Sequence, residues 1–284
     1  QQYQCRNKEI MTVSVILMMP HGYITFNTKC IRTAMIHRFE ILKIVNQLHM
    51  TRKCWMFFLL IPFLSEAQQV RKSKYGAEVL QHTGWFKKSC TADSNKRMIE
   101  LRSAIPSITY DLRYATKVNF VKQALYPQYT SVTFLRLPAA IALANVQKEL
   151  AEKGLGLKIF DAYRPYSVTV KFWELIKDER YVANPSKGSG HNRGLAVDLT
   201  IINLTNGKEL DMGTGFDNFT DTAHHTFTIL PETVLNNRKL LKEIMLKHGF
   251  RLFETEWWHY SWPNDRNYEV LDLSFEKLSK LSSK

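Results

Sequence analysis

The stretch "GSGHNRGLAVDLT", Gly188 to Thr200, sets His191 and Asp198 seven residues apart with Gly194 between them. Its continuation "LAVDLTII" is rich in β-branched residues and bounded by turn residues, which is the pattern of a packed strand. An aspartate inside such a strand is costly to bury unless it is paired or bound to a metal. Strand side chains alternate, so Asp198 shares a face with Ala196 and Thr200, while Val197 and Leu199 point the other way. Gly194 permits a tight turn between the two polar residues. A polar group projected from a packed strand is held rigidly.

A second stretch, "ETEWWHYSW", Glu254 to Trp262, contributes His259 and, three positions earlier, Glu256. Catalytic zinc takes three protein ligands from His, Asp and Glu and keeps a fourth position for water. His191, Asp198 and His259 match that donor set, with Glu256 as the general base. Residues i and i+3 of a regular strand face opposite ways, so Glu256 and His259 converge only across a bulge or a strand end. Bulges are frequent beside active sites. Trp257 and Trp258 are expected to wall the site and lower its dielectric. The residues alone leave a second reading open, in which the histidines are hydrogen-bonded core groups. His224 and His225 read as substrate-side groups or as structural ones, and His248 suits the end of a helix.

Around these stretches, helical and strand signals mix without βαβ alternation. "LPAAIALANVQKELAEKG" has apolar residues at helical spacing, with Pro138 near its start and Gly154 past its end. "LGLKIFDAYRP" reads as a strand stopped by Pro165, and "SVTVKFWELIKDE" as a helix with Ser167 as its N-cap. Asn206-Gly207 signals a hairpin. "NNRKLLKEIMLKHGF" is an amphipathic helix, "IPSITYDLRYA" a strand, and "RLFETEWWHYSW" one aromatic strand. The predicted class is α+β, an antiparallel sheet flanked by helices.

The N-terminal quarter reads differently. Arg52 and Lys53 precede ten apolar residues, "WMFFLLIPFL", and then Ser65-Glu66-Ala67. This is the layout of a secretory signal peptide, residues 50–67, and too short to span a membrane. Residues 1–49 are then expected to be an over-extended N-terminus with Met50 as the true start. Residues 68–95 read as a linker or arm, and 96–284 as one catalytic domain. Without residues 1–67 the net charge falls from +13 to +8, with 31 basic against 23 acidic side chains. A mildly basic exported protein favours an anionic envelope polymer. No basic helix or aromatic-interleaved basic patch points to nucleic acid. Cys90 is then the single remaining cysteine, which excludes an internal disulfide framework.

"SGHNRGLAVD" fits S-x-H-x-x-G-x-A-x-D and "EWWH" fits E-x-W-H. Together they resemble the paired signatures of the zinc D,D-peptidases with the hedgehog-type fold, most closely the VanX-type D-alanyl-D-alanine dipeptidases. The similarity extends through "DLRYATKVNF", "KIFDAYRPYS", "ELDMGTGFDNF" and "AHH", over roughly residues 97–262. It implies one Zn(2+) per chain held by His191, Asp198 and His259, with Glu256 activating water and protonating the leaving amine. It also implies that Arg164 stabilises the oxyanion, that Tyr114 and Asp217 meet the substrate's free ammonium, and that Ser189 lies near its carboxylate. Ala162 stands where the family usually has glycine. Without the resemblance, Arg164 reads as an ion pair with Asp161 and Asp217 as a turn residue.

The implied activity is hydrolysis of D-alanyl-D-alanine to two D-alanines, in recycling of wall-derived dipeptide outside the cytoplasm. The small D,D-dipeptide is the expected partner, with no stable membrane insertion after signal cleavage. The rivals are a D,D- or L,D-carboxypeptidase on peptidoglycan peptides, and a zinc-stabilised module that binds wall fragments without turnover.

Overall fold

The computed structural model describes residues 11–19, 22–30, 71–179 and 182–282. The chain divides into two units, residues 1–67 and 68–284. In the first, β1 (Met11–Met19) and β2 (Gly22–Cys30) pair antiparallel along their whole length. The expected signal peptide at 50–67 lies outside the described residues. No helix among the described residues is long and apolar enough to cross a membrane.

The second unit begins earlier than the predicted domain. Residues 71–92 are not a loose arm: they form β3 (Arg71–Lys72), β4 (Glu78–Leu80) and α1 (Thr83–Ala92). Val79, Leu80 and Phe86 are buried, and that burial holds a segment whose polar composition reads as a linker. Next come β5 (Met98–Glu100), α2 (Leu101–Ala104), β6 (Thr109–Tyr110) and β7 (Phe134–Arg136). Helix α3 (Leu137–Ala151) follows directly, with Pro138 in its first turn and Gly154, at φ +70°, beyond its end. Strand β8 (Leu155–Asp161) leads to α4 (Tyr166–Ile176). Ser167 lies inside α4 and is not its N-cap; Pro165 occupies that place, and the Ser167 N–H donates to Asp272 Oδ1 at 2.9 Å. A distant carboxylate thus takes the part expected of the local hydroxyl.

The short α5 (Gly190–Arg193) precedes β9 (Ala196–Asn203). Beyond β9 the chain turns through Gly207 at φ +70° and returns as a single bridge, Ile202 to Glu209, in place of a full hairpin strand. Helix α6 (Glu232–Lys247) starts four residues before the apolar period becomes obvious, behind Pro231. "RLFETEWWHYSW" is two strands, β10 (Arg251–Phe253) and β11 (Glu256–Ser261), folded back on each other. The chain closes with β12 (Val270–Leu271) and α7 (Phe275–Ser282).

The main sheet has the order β10-β11-β9-β8-β6. It is antiparallel as predicted, except that β6 lies parallel to β8 at one edge. Val197, Leu199 and Ile201 pack in one core with Leu143, Val146 and Leu150 of α3 and Leu241, Ile244 and Met245 of α6. Each fully buried aliphatic side chain contributes about 1.5–3 kcal/mol. A second core of the same unit gathers Tyr114, Tyr163, Phe172 and Phe275. Asp198 projects from the face of β9 opposite to Val197 and Leu199, as alternation requires.

Candidate metal and active site

Three polar residues line up across three neighbouring strands. Asp198 of β9 is paired with His259 of β11 on one side and with Asp161 of β8 on the other. Directly opposed residues have side chains within contact distance, so the register alone brings His259 Nδ1 to 2.9 Å from Asp198 Oδ1. The β8 register slips between Ile159 and Asp161, which sets Asp161 opposite Asp198.

His191 arrives from α5. Ser189 and Asn192 form a reciprocal capping box at its start, and Gly194 ends it at φ +68°. Such boxes satisfy two backbone donors at once and fix a short helix that would not persist alone. The buried Arg136 supports the return into β9: its main-chain N–H donates to the Gly194 carbonyl and its Nε to the Arg193 carbonyl, both at 2.8 Å. His191 Nδ1 lies 2.7 Å from the Ala162 carbonyl, which can only accept, so Nδ1 carries the proton. In the neutral ring the Nε2 lone pair then faces Asp198 Oδ2 at 3.4 Å.

Two acceptors so placed repel unless a metal ion lies between them or the carboxyl carries a proton. Burial, then the Arg164 and His259 charges, push the His191 imidazole well below its usual range, which favours the neutral ring. Burial and the Asp161 charge push the Asp198 carboxyl well above its usual range. Nδ1 or Nε2 of each histidine and a carboxylate oxygen lie within 4.8 Å of one another, and no other such group of three occurs among the described residues. Two neutral imidazoles and a carboxylate are the donor set of catalytic zinc. These residues fit the metal.

Glu256 stands at the start of β11, where the pairing with β10 slips: Leu252 is opposite Tyr260, but Phe253 is opposite Glu256. The expected bulge is present, and it brings Glu256 Oε2 to 3.8 Å from His259 Nδ1. Burial raises the Glu256 carboxyl to about 7, against the opposing pull of His259. Trp258 lines the cavity, whereas Trp257 points to the opposite face and donates to Thr214 Oγ1 at 2.7 Å. Strand alternation therefore gives the site one tryptophan wall, not two.

Arg164 follows β8 and is clamped by Asp161, whose Oδ2 accepts from Nε at 3.0 Å and from an Nη at 2.7 Å. The Tyr126 hydroxyl donates to the other Asp161 oxygen. Burial disfavours the Arg164 charge, but Asp161 and its neighbours outweigh it and hold the guanidinium firmly protonated. Its plane lies over the rings of Tyr114 and Phe172, at 5.1 and 4.8 Å. The ion pair with Asp161 and exposure to the cavity coexist, so the two sequence readings of Arg164 do not exclude each other.

Tyr114 and Asp217 meet in the lining of the same cavity, of about 250 Å³, together with Arg164, Ser189, His191, Asp198, Glu256 and His259. All eight expected site residues thus line one space. Ser189 also caps α5, its Oγ accepting from the Asn192 N–H at 3.2 Å, which leaves its hydroxyl proton free to donate. Phe120, Phe172 and Phe253 line the cavity and Tyr126 holds Asp161 from behind it, and sequence reasoning misses all four. Their roles come from packing between distant segments and carry no local pattern. His248 caps α6 and pairs with Glu149 at 2.9 Å, away from the site.

Known proteins match this chain. The family described as D-ala-D-ala dipeptidase, peptidase family M15, matches residues 94–277. The D-alanyl-D-alanine dipeptidase of Escherichia coli (strain K12) is 35% identical over 178 residues, 63% of this chain and 91% of that protein. Its counterpart in Enterococcus faecalis (strain ATCC 700802 / V583) is 30% identical, over 56% of this chain and 88% of the relative. A solved structure of the D,D-pentapeptidase VanY in complex with Zn(II) is 17% identical, covering 55% of this chain and 83% of its own, with a TM-score of 0.32. The chain belongs to the M15 family of D-Ala-D-Ala dipeptidases.

Proposed function

We propose that this metallopeptidase hydrolyses D-alanyl-D-alanine to two D-alanines, using one zinc ion held by His191, Asp198 and His259. The observation that carries the reading is one small cavity with two functional ends. At one end Glu256 stands 3.8 Å from His259 Nδ1. At the other, Asp217 Oδ2 is buried without a partner among the described residues. A space of about 250 Å³ falls below the roughly 300–1,000 Å³ of drug-sized sites, which suits a dipeptide.

Zinc in this position would act as a Lewis acid on the carbonyl and lower the pKa of water towards about 7. Glu256 takes a proton from the attacking water as its oxygen bonds to the scissile carbonyl carbon. It delivers that proton to the nitrogen as the C–N bond breaks, so one carboxylate serves as base and then as acid. Arg164, immobilised by Asp161, offers its guanidinium to the negative charge that grows on the carbonyl oxygen. Asp217, oriented by Tyr114, takes the substrate's ammonium, and the Ser189 hydroxyl donates towards its carboxylate. A blocked amine would leave Asp217 unpaired, at about 1–3 kcal/mol, and this is the basis of dipeptide specificity.

A second cavity shares Glu179, Phe219, Phe253 and Glu256 with the first. It favours the alternative of a D,D- or L,D-carboxypeptidase that accepts longer peptides. Release of D-alanine from D-Ala-D-Ala, N-acylated D-Ala-D-Ala and L-Ala-L-Ala, with and without a chelator, decides between them. Chelator-sensitive turnover of the free D,D-dipeptide alone supports the dipeptidase; turnover of the acylated substrate overturns it. Export to the periplasm or exterior is part of the proposal, supported by the signal-like residues 50–67. Retention of the precursor in the cytoplasm of the producing cell would sink that part.

A further inference from the structure

Asp217 lies on a loop and Glu256 at the first position of β11, and the segments leading to both are fastened to one helix. On α6, the buried Arg238 donates from Nε to the Met212 carbonyl at 2.7 Å and from Nη1 to the His224 carbonyl at 3.3 Å. Its neighbour Asn237 donates to the Asp211 carbonyl at 2.9 Å. Met212 begins the loop that ends in Asp217, which is held at φ +61°. His224 leads into His225, whose main-chain N–H donates to the Glu254 carbonyl at 2.9 Å. The His225 ring lies against the main chain of Glu256 and packs edge-on against Tyr260, with centroids 6.0 Å apart, while its Nε2 is buried without a partner among the described residues.

The side-chain hydrogen bonds of Arg238 go to main-chain carbonyls; among the described residues it closes no ion pair, the Asp211 charge acts on it from farther off, and its Nη2 is buried without a partner. Taking a guanidinium out of water is expensive unless hydrogen bonds compensate, and here two of its nitrogens are spent on holding loops. Building on the assignment of Asp217 and Glu256 above, we infer that Arg238 is a positioning residue that braces both ends of the active site, with His225 transmitting its hold to Glu256. Removing Arg238 loosens the Asp217 loop and the Glu256 turn together. Removing His225 loosens the Glu256 turn alone. His225, which reads from sequence as structural or substrate-side, thus acts from behind the base without touching substrate.

Hydrogen exchange and steady-state kinetics on the full chain test this with Arg238→Met, Arg238→Lys, His225→Leu and His225→Gln. In Arg238→Met, amides of both 213–217 and 254–256 should exchange about tenfold faster, the loss of roughly one hydrogen bond, while β8 and β9 keep their protection. His225→Leu should quicken 254–256 only. Kinetically, Arg238→Met should raise KM and lower kcat, while His225→Leu should lower kcat with KM unchanged and His225→Gln should restore most of it. If Arg238→Met does not fold, Arg238→Lys, which can reach one carbonyl, should quicken one of the two segments. Unchanged exchange in both segments, or a uniform rise across the sheet, overturns the brace. An inactive wild type would overturn the assigned function, yet the exchange pattern would still decide the brace.

Discussion

Tyr114 Oη donates a hydrogen bond to Asp217 Oδ1 at 3.0 Å, and Asp217 Oδ2 is buried with no partner among the described residues. Burial first, and the Asp198 charge second, hold the Asp217 carboxyl well above its usual range. A carboxyl so placed gains most from an arriving cation. Asp217→Asn should raise KM for the free dipeptide about ten- to a hundredfold, from the roughly 1–3 kcal/mol of one lost charged contact, with a smaller change in kcat. Equal losses in kcat and kcat/KM would remove Asp217 from substrate binding.

Glu256 is the group assigned to move the proton. Glu256→Gln keeps the shape and should lower kcat about 10²–10⁴-fold, while metal content, measured by elemental analysis, stays at the wild-type level. Full turnover in this variant would refute Glu256 as the group that moves the proton.

Asp161 holds Arg164 and accepts from Tyr126 in a fully buried position. Its removal leaves a buried guanidinium uncompensated. Asp161→Ala should cost about 3–5 kcal/mol of stability in denaturant unfolding, and Asp161→Asn less, with both lowering kcat. A stable Asp161→Ala protein with normal kcat would show that Arg164 needs no such support.

Gly194 lies at φ +68°, and a Cβ added there would come within 2.6 Å of the Met98 side chain. The left-handed conformation costs an L-residue about 1–2 kcal/mol, and Met98 must also shift. Gly194→Ala should therefore lower Tm and weaken metal binding, since this turn connects His191 to Asp198. Unchanged zinc affinity, measured by competition with a chelating dye, would separate the turn from the site.

Glu269 accepts from Ser89 and Lys96 and pairs with Arg136. Burial pushes its carboxyl up, but these partners outweigh burial and leave it below the usual range. A carboxyl lowered by folding adds stability above its unfolded pKa of about 4.3, and that stability is lost as pH falls through the folded value. Glu269→Gln should reduce Tm at neutral pH and flatten its decline below about pH 4.3. A parallel decline in both proteins would rule out Glu269 as a source of acid sensitivity.

Much of the site is legible in the amino-acid order. His191, Asp198, Glu256 and His259 sit in two short stretches whose donor types and spacing already point to a metal and a base. The bulge at Glu256 follows from the parity of strand side chains, and it is there. The segment 71–92 is not legible in the same way, because its few apolar residues become meaningful only against β12 and the second core. Ser167 deceives for a related reason: Asp272, 105 residues away, supplies the hydrogen bond that a local cap would make.

Local chemistry, by itself, determined which residue types the chain commits to catalysis and where the longer helices and the central strands lie. It did so because periodicity, turn residues and donor sets are properties of neighbours in sequence. Only the tertiary structure decided the rest: that Asp161, Asp198 and His259 stand in one row, that Trp257 turns away from the site, and that one arginine on α6 holds both loops. Those depend on strand register and on contacts between segments far apart in the chain, which no local pattern encodes.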